Sequence, residues 1–432
     1  MKDWPWLFQG ATSRAPLRMS MLALLALVLC GALSLKTANA QSAAPDSLSL
    51  RQVYEAAVAR LPEARSAPQR RDAAAAHARA AQAWSPEPPS FEGALKTDRV
   101  GSNVGSREWV GGVAVPLWLP GQRDAAKSLA QAEATAVDQT LTAAAWRMAG
   151  EVRDAWWATH LAQVDLDLVQ TRLGNAERLA ADVALRVRAG DLARVDQHQA
   201  SAAVAAAQAE LASAKTAQAQ SLLVLRRLTG PLAFAPLEAR PEPLPAEAVA
   251  VDASVAAHPA LREAMARADV ARRAGAQARL QARAAPELAL AATRGRGSAG
   301  EAYGQSITIA LRIPFGADAR HQAQVASAGA DLTEAEARLA GERERIEADM
   351  AFARARLELA RSRADASEQR AALARESLGF LDTAFRMGEI DLPARLRIAL
   401  EAMEAERQSA RARIELAHAI SQWRQALGLS FV

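Results

Sequence analysis

Residues 122–187 carry a regular pattern of apolar and small side chains and contain no proline. From Val152 onward these side chains recur at alternating steps of three and four residues, which is the 3.5-residue period of supercoiled helices. The positions are Val152, Ala155, Thr159, Ala162, Leu166, Val169, Leu173, Ala176, Ala180, Val183 and Val187. The pattern predicts one long helix from Gln122 whose seam packs against another helix.

The same seam occurs again 198 residues further along the chain. Its positions are Met350, Ala353, Leu357, Ala360, Ala364, Ser367, Ala371, Ala374, Leu378, Leu381 and Phe385. Short segments repeat at the same spacing: 113–117 with 311–315, 190–192 with 388–390, and 228–230 with 426–428. Two copies of one long unit do not make a solenoid, which stacks several short units. The chain is therefore predicted to be a duplicated half-structure.

Alternating apolar and polar residues precede each seam and predict a pair of strands in each copy, at about 88–118 and about 286–315. A loop rich in glycine and small polar residues separates the two strands of each pair, which favours a hairpin. Each strand spans about ten residues, enough to cross a bilayer when tilted. Four half-buried strands of a small sheet explain the same alternation equally well.

The predicted division of the chain follows the duplication. Residues 41–230 form the first repeat: a helix over residues 49–84, a strand pair and a long helical hairpin over 122–229. Residues 252–432 form the second repeat, with its helical hairpin over 317–428. Residues 231–251 contain five prolines and predict an extended linker between the two.

Residues 1–40 have the pattern of an export signal. Arg14 and Arg18 precede an apolar run, and an Ala-x-Ala motif ends at Ala40. The only cysteine, Cys30, lies in that run and is expected to be removed with it, although a lipid anchor on Cys30 is an alternative. Of the formal net charge of +4, most lies in this segment, and the remaining charges alternate in sign along the helices. This distribution argues against a nucleic-acid partner.

The predicted helices are too long for a globular domain of this size, because each measures roughly 100 Å at ~1.5 Å per residue. They must project and pair with other helices. Four strands are too few to close a membrane barrel, which needs about eight, and open strand edges are not tolerated in lipid. If the strands span a membrane, several chains must pool them into one composite tube.

In its ordered set of repeated features, the chain resembles the TolC family of outer-membrane efflux proteins over residues 48–430. The resemblance is carried by the strand ends at 113–117 and 311–315, the turns at Gly190 and Gly388, and the closing segments at 228–230 and 427–428. It implies a mainly helical fold with membrane β-strands, in which a homotrimer forms a twelve-stranded barrel continuous with a periplasmic α-helical barrel. It also implies an outer-membrane location and a periplasmic adaptor and an inner-membrane pump as partners.

The resemblance assigns roles to two sets of residues. The adaptor is expected to dock on the helix tips formed by Arg188, Gly190, Asp191, Leu192, Arg386, Gly388, Glu389 and Ile390. The apolar alternation of the last strand is expected to face lipid, with Trp109 and Trp118 at the membrane interface. The lipid-facing set is Ile307, Ile309, Leu311, Ile313 and Phe315.

Family members often carry acidic residues shortly after the glycine turns, where they narrow the entrance. Asp196 fits this pattern, but the second copy has Ala394 at the equivalent place, followed by Arg395 and Arg397. We therefore expect an entrance constriction of mixed sign, in which Asp196 faces Arg395 or Arg397. The alternative is that these are solvated surface charges worth well under ~1 kcal/mol each.

The sequence predicts no catalytic residue, no cofactor and no metal site. The string Gly295-x-Gly297-x-x-Gly300 matches a dinucleotide fingerprint but precedes a strand instead of opening a helix. The six histidines are scattered without metal-ligand spacing. The function expected from these features and the resemblance is a passive exit duct for small molecules or metal ions, gated at the helix tips. The alternative is a soluble periplasmic coiled-coil adaptor, which leaves the repeated hairpins unexplained.

Overall fold

The computed structural model describes residues 48–231, 237, 240–245, 251–281, 284–315 and 319–431. The predicted export signal and Cys30 lie outside these residues. The helices are α1 (Leu50–Val58), α2 (Pro62–Gln82), α3 (Gln122–Ala189), α4 (Arg194–Thr229), α5 (Val251–Ala257), α6 (Pro259–Leu280), α7 (Ala319–Arg386) and α8 (Leu392–Ala426). The strands are β1 (Ser90–Thr97), β2 (Arg107–Pro116), β3 (Glu287–Arg296) and β4 (Gly304–Arg312). The predicted fold class, mainly helical with one strand pair in each half, is confirmed.

The prediction of one helix over residues 49–84 was wrong in one respect. Ser49 caps α1 as expected, since its side chain accepts a hydrogen bond from the backbone N–H of Gln52. The helix then ends at Val58, and α2 begins at Pro62. Proline is favoured at a first helical position because its missing N–H would be unpaired there anyway. Pro62 therefore marks the start of a second helix within the predicted range.

The four strands form one antiparallel sheet in the order β1-β2-β3-β4. The central pair, β2 and β3, joins the two repeats, with Val113 opposite Leu290. The strand prediction was wrong at one end, because β4 stops at Arg312 and Ile313 and Phe315 lie beyond it. Pro314 has no backbone N–H to donate to a strand ladder, which accounts for the early end.

The two long hairpins are built alike. Helices α3 and α7 each contain 68 residues and run from the sheet end to a glycine turn, and α4 and α8 return from it. All the predicted seam positions are buried or half-buried, and each long helix packs against its own return helix. Helix α3 also packs along α8, so the two hairpins lie side by side. Midway along, Val152, Trp156 and Trp157 are fully buried in one apolar cluster, and Ile346 and Met350 anchor a second.

No helix among the residues that the structure describes is long and apolar enough to span a bilayer.

Candidate functional site

One face of the sheet is apolar and exposed along all four strands. Neighbouring side chains on this face are opposite each other in the register, as in Phe91 with Val113 and Leu290 with Ile309. The exposed members are Phe91, Leu95, Trp109, Val113, Leu288, Leu290, Ile307, Ile309 and Leu311. The predicted lipid-facing residues Ile307, Ile309 and Leu311 are therefore part of a continuous patch, and Ile313 and Phe315 continue it past the strand with 50% and 93% exposure. An apolar patch of this extent marks a surface that meets lipid or protein.

Both outer strands of the sheet are open edges. Within the described residues, β1 pairs only with β2 and β4 only with β3. An edge strand carries a row of unpaired N–H and C=O groups that favour pairing with another strand. Any strand that extends this sheet must therefore pair with the free edge of β1 or β4.

On the other face of the sheet, the side chains at the centre of the β2–β3 pair are small. Gly112 lies opposite Ala291, and a Cβ at this glycine would stand 2.9 Å from the Ala291 Cβ and 3.0 Å from the Leu290 carbonyl oxygen. These distances are shorter than side-chain atoms tolerate, so the close approach of β2 and β3 requires glycine.

The interface candidates Trp109 and Trp118 differ in their surroundings. Trp109 is 54% exposed on the apolar face. Trp118 is half-buried, and its indole N–H donates to the carbonyl oxygen of Ala83 at 3.1 Å. This bond fixes α2 against the base of the sheet.

The opposite end of each hairpin is a glycine turn. Gly190 and Gly388 have φ values of +87° and +80°, a left-handed conformation that costs other residues energy. The N–H groups that follow close the turns, from Asp191 to the Arg186 carbonyl and from Glu389 to the Ala384 carbonyl, both at 2.9 Å. An added Cβ at either glycine would meet nothing within 4 Å, so backbone conformation and not space selects glycine.

The predicted docking residues divide into an outer and an inner group. Arg188, Asp191, Arg386 and Glu389 are exposed. Leu192 and Ile390 instead pack half-buried into one cluster built from both hairpins, whose buried members are Val183, Ala200, Phe385 and Leu392. The two tips therefore form a single unit with charged residues outside and an apolar core.

Phe385 joins the two tips. The guanidinium of Arg186, from the first hairpin, lies 5.1 Å from the ring centroid of Phe385, and that of Arg395 lies 4.9 Å from it. Each contact is a cation–π interaction worth ~0.5–2 kcal/mol. Asp382 holds Arg395 in place with bonds of 2.6 and 2.8 Å. The sequence gives no separate signal for this set, because Phe385 also fits the seam pattern.

The predicted pairing of Asp196 with Arg395 is absent within the chain. The Asp196 carboxylate accepts from the backbone N–H of Ala193 at 3.0 Å and so caps the start of α4. Arg395 is engaged by Asp382, its neighbour across the turn. Arg397 is exposed, without an ion-pair partner in the described part of the chain. In the second turn, Asp391 caps α8 as expected, accepting from Ala394 N–H at 3.0 Å.

A buried charge cluster fixes the linker, which was predicted only as an extended crossing. Glu242 lies between Arg153 of α3 and Arg424 of α8, and all three side chains are less than a tenth exposed. Arg153 binds both carboxylate oxygens, at 2.8 and 2.9 Å, and stacks over the ring of Phe431 at 4.3 Å. Arg424 adds a third bond at 3.1 Å. A glutamate between Pro241 and Pro243 carries no sequence signal of burial.

No group of three metal-ligating side chains comes together in the part of the chain that the structure covers. The glycine string at 295–300 spans the end of β3 and the hairpin loop, where Glu301 accepts from the N–H groups of Gly297 and Ser298. It therefore opens no helix at which a pyrophosphate would bind. The apolar sheet face and the charged helix tips are the surfaces that the described residues offer for contacts.

Comparison with known proteins gives a sequence match to a family and several structural matches. Residues 53–231 match the family described as "Outer membrane efflux protein". No curated protein sequence matches the chain significantly.

Solved structures share the fold over most of the chain at low identity. A membrane protein from Pseudomonas aeruginosa is 20% identical with a TM-score of 0.70, covering 88% of this chain and 93% of its own. The Campylobacter jejuni CmeC outer membrane channel is 14% identical with a TM-score of 0.71, covering 88% and 86%. The outer membrane protein VceC from Vibrio cholerae is 19% identical with a TM-score of 0.68, covering 89% and 97%. The described fold is thus that of outer-membrane channels.

Proposed function

We infer that this chain, a member of the outer membrane efflux protein family with the TolC-type fold, is the outer-membrane exit duct of a tripartite efflux pump. It conducts small molecules or metal ions passively from the periplasm to the exterior. An inner-membrane pump supplies the energy, and a periplasmic adaptor connects the two. The observation that carries this proposal is the open four-stranded sheet with its exposed apolar face at one end of two long helical hairpins.

The open sheet supports assembly from three copies. Strands in lipid must satisfy every backbone group, so the open edges of β1 and β4 require partners. Three copies in a ring supply twelve strands, above the minimum of about eight for a closed barrel. The exposed apolar face then lies against lipid, and the small residues around Gly112 line the inside.

The tips support a docking and gating role. Arg188, Asp191, Arg386 and Glu389 offer a charged and exposed surface to the adaptor, and the shared apolar core keeps the two turns together. Opening requires the tips to separate, a change between two packed states. The contacts of Phe385 with Arg186 and Arg395 hold the two tips together and so stabilise the closed state.

In this proposal, the entrance constriction contains both acidic and basic side chains. Asp196 and Arg397 are available to face each other between copies, whereas Arg395 braces the tip through Asp382. The competing explanation is that Asp196 only caps its helix. Measuring ion selectivity at increasing salt concentration distinguishes the two explanations. Salt screens a charged constriction, so the selectivity should change with ionic strength, whereas a helix cap should not affect it.

The experiment that tests the duct is the mass of the native particle. The protein is extracted from outer-membrane fractions in mild detergent, and the mass is corrected for bound detergent. We expect a three-chain particle that aggregates when detergent is removed. A monomer or dimer released with the soluble periplasm would contradict the duct and favour the periplasmic adaptor.

A further inference from the structure

Three arginines lie together at the loop end of the sheet, opposite the end at which the strands join the helices. Arg107 is the first residue of β2, and Arg294 and Arg296 lie at the end of β3. In the strand register, Arg107 is directly opposite Arg296, and Arg294 is opposite Trp109. We call these three arginines the arginine cluster. Like charges directly opposite each other on neighbouring strands are destabilising, so the sheet would gain from a negative charge at this place.

The arginine cluster is on the same face of the sheet as the exposed apolar side chains. Side chains two residues apart along a strand share a face. Arg294 and Arg296 therefore continue the line of Leu290 along β3, and Arg107 stands two residues before Trp109 on β2. The cluster thus lies directly beyond the apolar patch, with Trp109 at the border between them.

Within the described residues, the contacts of the arginine cluster are with uncharged groups. Arg296 donates to the carbonyl oxygen of Gly105 at 3.2 Å. The guanidiniums of Arg294 and Arg296 lie 4.9 and 5.2 Å from the ring centroid of Tyr303, which belongs to the β3–β4 loop. These contacts fix the positions of two guanidiniums and leave their charge uncompensated.

The acidic side chains at this end of the sheet are engaged elsewhere. The Asp98 carboxylate accepts hydrogen bonds inside its own loop, including one from the N–H of Gly105 at 3.1 Å. The Glu301 carboxylate accepts from the N–H of Gly297 at 2.9 Å. Glu108 is the residue after the first arginine of the cluster, so its side chain points to the opposite face of β2. The outward face at the loop end therefore carries a net positive charge.

We propose that the arginine cluster binds the phosphate groups of lipid headgroups in the outer leaflet. A guanidinium is planar and presents paired N–H groups that match two oxygens of a phosphate. A phosphate bound at Arg107 and Arg296 compensates the like-charge pair. The inference rests on the proposed duct, because the loop end of the sheet faces the outer leaflet only if the helices extend into the periplasm.

The position of the cluster favours a lipid over a free anion or an acidic protein. Tryptophan is enriched where headgroups meet acyl chains, and Trp109 marks this level on the sheet. A lipid can place its phosphate on the arginines while its acyl chains cover Leu95 and Ile307, which are both exposed. A free phosphate would leave this apolar surface uncovered. An acidic protein would have to reach a face that the membrane surrounds.

Binding of a purified glycolipid to the native particle tests the proposal. The probe is lipid A with two phosphates, added to the particle in mild detergent, and the measurement is the rise in the thermal midpoint of the helical circular dichroism signal. We expect lipid A without phosphates to need about tenfold more lipid for the same rise. Arg107→Gln should weaken the binding of the phosphorylated lipid about fivefold or more. The matched control is Arg312→Gln, which removes an exposed arginine from the other end of the same sheet and should bind normally.

The effect of Arg107→Gln on stability gives a second readout, because it should change sign when lipid binds. Without lipid, the variant removes one member of a like-charge pair, so its thermal midpoint should equal or exceed that of the unsubstituted protein. With the phosphorylated lipid A bound, its midpoint should be the lower of the two. A side chain that only stabilises the sheet would lower the midpoint under both conditions, and that result would contradict the proposal.

Three further results would overturn the proposal. Equal binding of lipid A with and without phosphates would exclude the phosphate contact. The same rise from inorganic phosphate alone, at the same concentration, would make the ligand a free anion. Equal losses in Arg107→Gln and Arg312→Gln would show that the position of the charge is irrelevant. In each case a three-chain particle that needs detergent leaves the duct standing, whereas a monomer that is soluble without detergent would contradict the duct and this inference together.

Discussion

Loss of the Glu242 carboxylate should destabilise the fold strongly. Its carboxylate neutralises two buried guanidiniums, and Glu242→Gln would leave Arg153 and Arg424 buried without a counter-charge. Breaking such a buried group costs about 3–5 kcal/mol. We expect a clearly lower thermal midpoint of the helical circular dichroism signal in detergent.

The matched control for Glu242 is Glu55→Gln. Glu55 also pairs with an arginine, Arg51 at 3.0 Å, but both side chains are about 60% exposed. An exposed pair contributes about 0.5 kcal/mol or less. Similar losses in the two variants would show that the buried cluster does not hold the linker.

His258 should make the stability depend on pH. Burial lowers its pKa to about 4, against the opposing effect of Glu342 and Asp349. Its Nδ1 accepts from Ala260 N–H at 3.3 Å, which requires the neutral ring. Because the folded pKa lies below the unfolded value of about 6.5, the stabilisation is present above pH 6.5 and is lost as the pH falls towards 4. The loss at pH 5 is about 2 kcal/mol.

The variant that checks this dependence is His258→Asn, which keeps a cap acceptor and cannot titrate. We expect its thermal midpoint to fall less between pH 7.5 and pH 5 than that of the unsubstituted protein. His198→Asn, at an exposed position, should retain the full pH dependence. A fall of the same size in His258→Asn would assign the acid sensitivity to other groups.

At the scale of elements, Gly112 and Gly111 form a matched pair on β2. Gly112→Val would force a side chain against Ala291 and the Leu290 carbonyl and separate the strands that join the two repeats. Gly111→Val points to the open apolar face, where the nearest atom to an added Cβ is a ring carbon of Phe91 at 4.0 Å. We expect Gly112→Val to reduce the yield of folded particle in the outer membrane several-fold and Gly111→Val to leave it near normal. Equal yields would mean that β2 and β3 separate without consequence.

The elements that could be predicted from sequence are those with a repeated local signal. The seams from Val152 and Met350, the strand pairs and the glycine turns occur twice, and each was located correctly to within a few residues. The restart at Pro62 and the end of β4 before Ile313 were missed because a single proline was outweighed by the pattern around it.

The parts of the site that could not be predicted depend on contacts between distant segments. Glu242 meets residues 89 and 182 positions away along the chain. Arg395 pairs with Asp382 across the turn and not with Asp196. Which of these two carboxylates it meets depends on the three-dimensional packing of the tips. Where a charged side chain has several possible partners, the sequence does not indicate which one it contacts in the folded protein.

For the whole molecule, the match of residues 53–231 and the shared fold confirm the family resemblance that the repeated features indicated. The duplication gives each copy two related hairpins that are not equivalent in chemistry. The first turn has Val187 where the second has Phe385, and Gln197 where the second has Arg395. Only the second tip therefore provides the aromatic ring that receives arginines from both hairpins.

This asymmetry leads to a prediction about conductance. Phe385→Ala removes the ring between Arg186 and Arg395, along with part of the shared apolar core, while Asp382 still holds Arg395. If these contacts keep the tips together, the variant should open more often and conduct several-fold more current in planar bilayers. Arg188→Ala is the control, because it removes an exposed tip charge. Within the part of the chain that the structure describes, its side chain bonds to its own helix alone, at the Ala184 carbonyl. An increase in both variants would assign gating to tip charge, and an increase in neither would mean that Phe385 packs the tip without controlling its opening.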